Sequence, residues 1–264
     1  MTKSITRAEK KLFYALGALL IAAVWQIAAS VVSNRLLLPS PYETAVRLAG
    51  LLCDGNTYLC IFNTLWRVTA GIAAGTAAAL ILAVPAGISL RAGAVISPAE
   101  HVIRATPVAS FIILALVWVK SGMISILISA LIVFPVIYSG TVAALQSADR
   151  NLAETAQTDG AGRFTVFRVV EVPHAFPFFL SSLGTSIGLG WKAGIAAEVL
   201  CTPKNTVGRM LYDSKVYLET ESLFAWTAIV ILLSILTEWG VSLIRRFAAK
   251  KISFLSVTGE NIAE

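Results

Sequence analysis

The stretch Phe13–Val32, FYALGALLIAAVWQIAASVV, is twenty residues long and carries no charge. A helix needs about 20 apolar residues to cross the hydrocarbon core of a bilayer, so this stretch spans one by length and composition. Lys10 and Lys11 precede it, a flank that a secretory signal peptide also has. Signal peptides, however, use apolar regions of only about 7–15 residues, so we read an uncleaved first span. Five further apolar runs follow: about 61–90, interrupted by Arg67 and Pro85; about 96–119, with Arg104 and Pro107 near its start; and about 123–145, 176–200 and 223–244. The expected fold is therefore an all-α polytopic membrane protein, a single domain over residues 1–264 with six transmembrane helices.

Composition agrees. The 264 residues are 57% hydrophobic and 14% charged, against about 25% charged in a typical soluble domain. A soluble enzyme is disfavoured, and low-complexity disorder is excluded because it needs low hydrophobicity. The net charge is +6. With the N-terminus placed inside, twelve of the 21 basic residues fall on the inner side: Lys3, Arg7, Lys10, Lys11, Arg91, Arg150, Arg163, Arg168, Arg245, Arg246, Lys250 and Lys251. Six fall outside (Arg35, Arg47, Lys120, Lys204, Arg209 and Lys215), and Arg67, Arg104 and Lys192 lie within or at the ends of spans. This is the positive-inside bias, and it puts both termini in the cytoplasm. No basic stripe is interleaved with exposed aromatics, so nucleic acid is not an expected partner.

Chemistry-bearing motifs are few. There is no Walker A, GxSxG or strand-linked GxGxxG pattern, so no ATPase or nucleophilic catalytic site is expected. His101 and His174 are isolated and the three cysteines have no metal-ligand spacing, so no metal site is expected. Cys53 and Cys60 flank the turn Asp54-Gly55-Asn56. They can pair across that turn, but not if they stack two turns apart on one helix; free thiols are the simpler reading. Ahead of the turn, Ser40 can cap a short amphipathic helix over Tyr42–Leu52.

Between the fourth and fifth spans lies the one long polar loop on the inner side, about 149–173: DRNLAETAQTDGAGRFTVFRVVEVP. Asp149 or Asn151 can cap a helix over Leu152–Thr158. Gly160 and Gly162 allow a tight turn. A second helix over Phe164–Val170 would present Phe164, Phe167 and Val170 as an apolar stripe, and Pro173 would restart the chain at the membrane. The expected object is a compact two-helix knob.

This loop resembles the EAA loop of ABC importer permeases, the membrane subunits of binding-protein-dependent transport. That pattern is Glu-Ala-Ala, three residues, Gly, nine residues, then Ile-x-Leu-Pro. Here it reads Glu154-Thr155-Ala156, Gly160 and Val170-Glu171-Val172-Pro173, with Thr155, Val170 and Val172 as small or conservative departures. Leu38-Pro39-Ser40-Pro41, Thr64-Leu65-Trp66-Arg67-Val68 and the run Trp191-Lys192-Ala193-Gly194-Ile195-Ala196-Ala197-Glu198 resemble the nitrate/sulfonate/taurine branch, so the resemblance covers about residues 13–247.

The resemblance implies a type I permease fold in the bacterial inner membrane. It implies a second permease copy, two cytoplasmic ABC ATPase subunits docked on the knobs, and an extracytoplasmic solute-binding protein. It implies no cofactor in this chain, since ATP and Mg are bound by the partner ATPases. Glu154, Thr155, Ala156, Gly160 and Pro173 become the ATPase-coupling residues. Glu154 also suits the local helix dipole, and a turn needs Gly160 in any case. The expected solute is small and polar or anionic: a sulfonate, nitrate, bicarbonate or a thiamine pyrimidine precursor. A secondary carrier or a non-transport scaffold are the alternatives, and no internal repeat favours a carrier.

Ionisable groups within spans are costly and tend to be functional. Arg67 can snorkel from the outer end of its span, and Arg104 can pair with Glu100 at i, i+4. Lys192 either lines the path, with Trp191 and Glu198 as neighbours in sequence, or pairs with an acid such as Glu198 or Glu238. Glu198, six residues on, falls on the other side of the same helix. Residues 202–215, with helical spacing at Val207, Met210, Leu211 and Tyr212, can contact the binding protein or lie as an interfacial helix.

Overall fold

The structure is a computed structural model that describes residues 7–32, 34 and 36–260. Lys3 and Arg35, and the side chains of Arg7, Lys10, Lys11, Arg150, Arg245, Arg246, Lys250 and Lys251, all used in the charge count above, lie outside the described residues. The described residues form helices and no strands. In order these are α1 (Arg7–Val32), α2 (Pro41–Leu52), α3 (Gly55–Ile88), α4 (Leu90–Ala105), α5 (Val108–Ala115), α6 (Ser121–Gln146), α7 (Arg150–Thr158) and α8 (Arg163–Val166). A π-helical turn (Phe167–Glu171) follows, then α9 (Val172–Cys201), α10 (Val207–Val216) and α11 (Thr220–Glu260).

Among the described residues four helices are long and apolar enough to cross a membrane: Leu12–Val32, Gly55–Ile88, Ser121–Gln146 and Thr220–Leu243. At 34 residues, α3 extends about 51 Å, more than the roughly 30 Å hydrocarbon core. It runs unbroken past Pro85. α9 has the length too, but its serines and glycines, with Lys192 and Glu198, dilute its hydropathy. The expected third span, 96–119, is not one helix. Pro107 forces Thr106 into the extended region (φ −80°, ψ 128°), so α4 ends there and α5 restarts from Pro107.

The turn expected at Asp54-Gly55-Asn56 is the start of α3 itself. Asp54 caps it by accepting from the Asn56 N–H at 3.0 Å. α2 forms as its sequence suggests. The Ser40 hydroxyl accepts from the Glu43 N–H at 3.2 Å, and Glu43 Oε2 accepts from the Ser40 N–H at 2.9 Å, a reciprocal capping box. Cys53, Cys60 and Cys201 are all free thiols.

The centre of the molecule is a triangle of α3, α6 and α9, closed by small residues. A Cβ on Gly71 would lie 2.5 Å from the Ile126 carbonyl oxygen, and one on Gly75 would lie 2.5 Å from that of Ala130. α9 makes the equivalent approach with Gly190 and Gly194. A Cβ on Gly194 would meet Ser129 Oγ at 2.5 Å and Val68 Cγ2 at 2.7 Å. The Ser129 and Ser125 hydroxyls donate to the Gly190 and Gly194 carbonyls at 3.0 and 3.2 Å. Small residues four apart bring backbones together where no hydrophobic effect drives helix association, and buried hydroxyls then bond across the contact.

α2 and α10 pack against one end of α11 and α9. α1 is attached there through Trp25, whose indole N–H donates to the Pro39 carbonyl at 3.0 Å while its ring stacks on Phe224 at 5.5 Å. The outward side chains of α1 and α11, such as Leu19, Leu20, Ile231 and Leu232, are exposed and apolar, as hydrocarbon contact requires.

Candidate functional site

Two regions carry the predicted site residues. The first is the projection between α6 and α9. Asp149 caps α7, accepting from the Asn151 N–H at 2.8 Å. At the other end the Gly160 N–H donates to the Gln157 carbonyl at 3.0 Å and the Ala161 N–H to the Ala156 carbonyl at 2.9 Å. This is a Schellman closure, and it puts Gly160 at φ +89°. Glycine is required at that point, whereas Gly162 has φ −64° and merely precedes α8.

Glu154 and Thr155 are exposed and Ala156 is half-buried. The Thr155 hydroxyl turns back to the Asn151 carbonyl at 2.8 Å. Glu154 borders a cavity of about 340 Å³ between the knob and the ends of α3 and α6, with Gly87, Leu145, Asp149, Arg163 and Glu171.

The second helix of the knob differs from the expected Phe164–Val170. α8 passes through the π-helical turn straight into α9, so Pro173 sits in the first turn of a continuing helix rather than at a break. The buried face also differs. Val166 is buried and Phe167 packs on Ala144, Leu145 and Ala175, while Phe164 is 74% exposed. Leu152 and Val169 are exposed as well.

Sequence reasoning missed the ion pair between Arg163 Nη2 and the buried Glu171, 3.6 Å apart. Eight residues on an ideal α-helix leave two side chains about 80° apart. The wider π turn absorbs about one residue of that offset and brings them to one side. The Pro at 173, which cannot donate to the preceding turn, is the only sequence signal near it.

The second region is the far half of α9. Trp191 is 1% exposed and lies in the main core. Glu198, seven residues on, is within about 20° of the same face and is fully buried. Its Oε2 accepts from the Thr64 hydroxyl at 2.8 Å and from the Gly208 N–H at 3.3 Å. Thr64 Oγ1 in turn accepts from the Val207 N–H at 3.0 Å. The carboxyl of Glu198 thus faces the first turn of α10, where free N–H groups and the helix dipole favour an acceptor. A Cβ on Gly208 would collide with Glu198 Cβ, so that turn sits directly on α9.

Lys192 is on a different side, exposed with Leu189, Ala196 and Leu200. The structure therefore separates the three: Trp191 and Glu198 lie inside the protomer and Lys192 outside. Among the described residues Lys192 pairs with neither Glu198 nor Glu238.

The other spanning charges are placed as follows. Arg67 reaches from α3 to the start of α6, with Nη2 near Gly122. Arg104 pairs with the buried Glu100 within α4, as the i, i+4 spacing suggests. In the 202–215 segment, Thr206 caps α10 and Val207 and Leu211 are its buried apolar residues.

An all-helical bundle with small-residue packing, long apolar helices and one two-helix projection defines a polytopic membrane protein. The chain belongs to the family of binding-protein-dependent transport system inner membrane components, whose model matches residues 71–250. It is an ABC importer permease subunit.

Among curated proteins it is similar to the taurine transport system permease protein TauC of Escherichia coli, 24% identical over 87% of this chain and 85% of that one. It is 26% identical to the putative aliphatic sulfonates transport permease protein SsuC of Bacillus subtilis, over 86% and 82% of the two chains. It is 27% identical to the nitrate import permease protein NrtB of Synechocystis, over 68% of each. Among solved structures, an amino acid ABC transporter crystallised with histidines shares the fold with a TM-score of 0.59 at 20% identity, over 72% of this chain and 94% of that one.

Proposed function

We propose that this chain forms the solute path of an ATP-binding-cassette importer and couples ATP hydrolysis by partner subunits to uptake of a small anionic or polar solute. The observation that carries the reading is the knob. Its first helix is closed at Gly160, its second is continuous with α9, and Leu152, Phe164 and Val169 stand exposed on it. A rigid projection with an apolar crest suits a groove on a soluble partner.

In this reading the knob and both termini face the cytoplasm, in keeping with the distribution of basic residues. α4 and α5 together make the third of six membrane segments, and α1, α3, α6, α9 and α11 make the others. Two copies pair as a homodimer, and an ABC ATPase docks on each knob. There Thr155, Ala156 and Gly160 let the partner approach closely, Glu154 offers a charge to a basic partner, and Pro173 anchors the base. ATP and Mg are bound by those partners, and this chain has no ATPase site. The solute-binding protein docks at the opposite end, near α2 and α10. Closure of the ATPases draws the knobs together and opens the path outward, and hydrolysis resets it.

Lys192 gives the path a positive charge, which favours an anionic solute. The names of the similar taurine, sulfonate and nitrate permeases support that class. Co-purification in mild detergent tests the reading. A tagged wild-type chain should bring down an ABC ATPase, and Leu152→Ser/Phe164→Ser should lose it while still inserting. Wild-type chain recovered without an ATPase would overturn the proposal.

A further inference from the structure

Lys192 on α9 and Glu238 on α11 are charged residues well inside long helices that make no ion pair among the described residues. Both are exposed on the protomer. A charged side chain facing lipid is costly and rare, and such residues face a partner, a cavity or each other. The neighbourhood of Gly188 decides among these. A Cβ there would lie 2.9 Å from Glu238 Oε1, so the carboxylate rests directly on the glycine.

Lys192 is four residues further along α9, one turn away on the same face. A helical side chain leans back over the turn that precedes it. The lysine stem is therefore aimed at the turn on which the carboxylate rests. Its four carbons cover about the 6 Å that separates successive turns. The other candidate acid, Glu198, is buried with its Oε2 engaged by Thr64 and Gly208. Among the described residues neither Lys192 nor Glu238 has an ion-pair partner.

We propose that Glu238 is the exchangeable counter-ion of Lys192: from the open arrangement seen here the two close as an ion pair between α11 and α9 during the transport cycle, and an anionic solute group takes the place of the Glu238 carboxylate on the Lys192 ammonium. The inference rests on the reading of Lys192 as a path cation. It adds to that reading a competitor for the anionic solute that keeps the cation from standing uncompensated. Gly188 provides the space from which the carboxylate can swing by side-chain rotation alone.

A thermal double-mutant cycle on the permease–ATPase complex in detergent tests the pair without relying on transport. Lys192→Gln and Glu238→Gln each leave one charge uncompensated and should lower Tm by about 3 °C or more, while the double neutral variant should lose less than the sum. Sodium methanesulfonate at millimolar concentration, against sodium chloride, should raise the Tm of Glu238→Gln more than that of wild type and leave Lys192→Gln unmoved. Additive Tm losses would overturn the pair, and an equal methanesulfonate shift in Lys192→Gln would overturn the exchange. Solute uptake by Lys192→Gln is measured separately. Normal uptake alongside a non-additive cycle would remove the path role and leave the ion pair standing, so the two failures are distinguishable.

Discussion

The Thr64 hydroxyl and the Glu198 carboxylate, 134 residues apart in sequence, meet at 2.8 Å inside the protein. Thr64 donates to Glu198 while accepting from the Val207 N–H, so one hydroxyl joins α3, α9 and the first turn of α10. This junction holds the end of the bundle opposite the knob.

Thr64→Val should therefore destabilise the protein more than a surface substitution. It removes the donor to a buried carboxyl and the acceptor of a buried N–H, each worth about 1–3 kcal/mol when left unsatisfied. Glu198→Gln keeps an acceptor for Thr64 and Gly208 and should cost less. Thermal unfolding in detergent ranks the two, and equal Tm values for Thr64→Val and wild type would refute the junction's importance.

Gly160→Val should damage coupling without blocking insertion. At φ +89° a β-branched residue is badly placed, and the left-handed region costs an ordinary L-residue about 1–2 kcal/mol. A Cβ there meets nothing within 4 Å, so backbone conformation alone sets the penalty. Gly162→Ala, at φ −64°, should be neutral. Solute-stimulated ATP hydrolysis in proteoliposomes distinguishes them, and an active Gly160→Val would remove the argument.

Arg163→Gln leaves Glu171 buried in the knob base without its cation. Breaking one side of a buried pair costs about 3–5 kcal/mol, while replacing both by apolar residues is often neutral. The arginine is more than half exposed, so solvent screens the pair and its loss costs less than that range. Arg163→Gln should reduce retention of an ATPase on purification, and Arg163→Met/Glu171→Leu should restore it. Retention unaffected by the single change would show that the pair does not hold the knob in place.

Gly75→Leu should prevent stable assembly, because its Cβ alone would meet the Ala130 carbonyl oxygen at 2.5 Å. Ser129→Ala removes one interhelical bond of a kind worth about 0.6 kcal/mol in membranes, and should be tolerated. Size-exclusion profiles after detergent extraction separate the two outcomes. A monodisperse Gly75→Leu protein would mean that α3 and α6 approach less closely than described.

Local features of this protein were legible because their causes are local. Ser40 followed three residues later by Glu43 announces the α2 cap, and Asp159-Gly160 announces the end of α7. Glu100 and Arg104 are one turn apart on the same helix. The break at Thr106–Pro107 had its signal in Pro107, yet the apolar run through Val119 reads as one span when only hydropathy is weighed. Arg163 and Glu171 were out of reach. Their spacing is wrong for an α-helix, and only the π turn corrects it.

The sequence by itself determined that this chain is a membrane helix bundle with one polar knob, because burying about twenty apolar residues at a time leaves no other economical arrangement of the backbone. It also determined which residues of α9 share a face. Tertiary structure decided which face is covered. Gly71 and Gly75 let α6 approach α3, Gly190 and Gly194 let α9 close the triangle, and that docking turns Trp191 and Glu198 inward while leaving Lys192 exposed on the open side. A helix's period fixes the angle between two side chains. The neighbouring helices fix which of them meets protein.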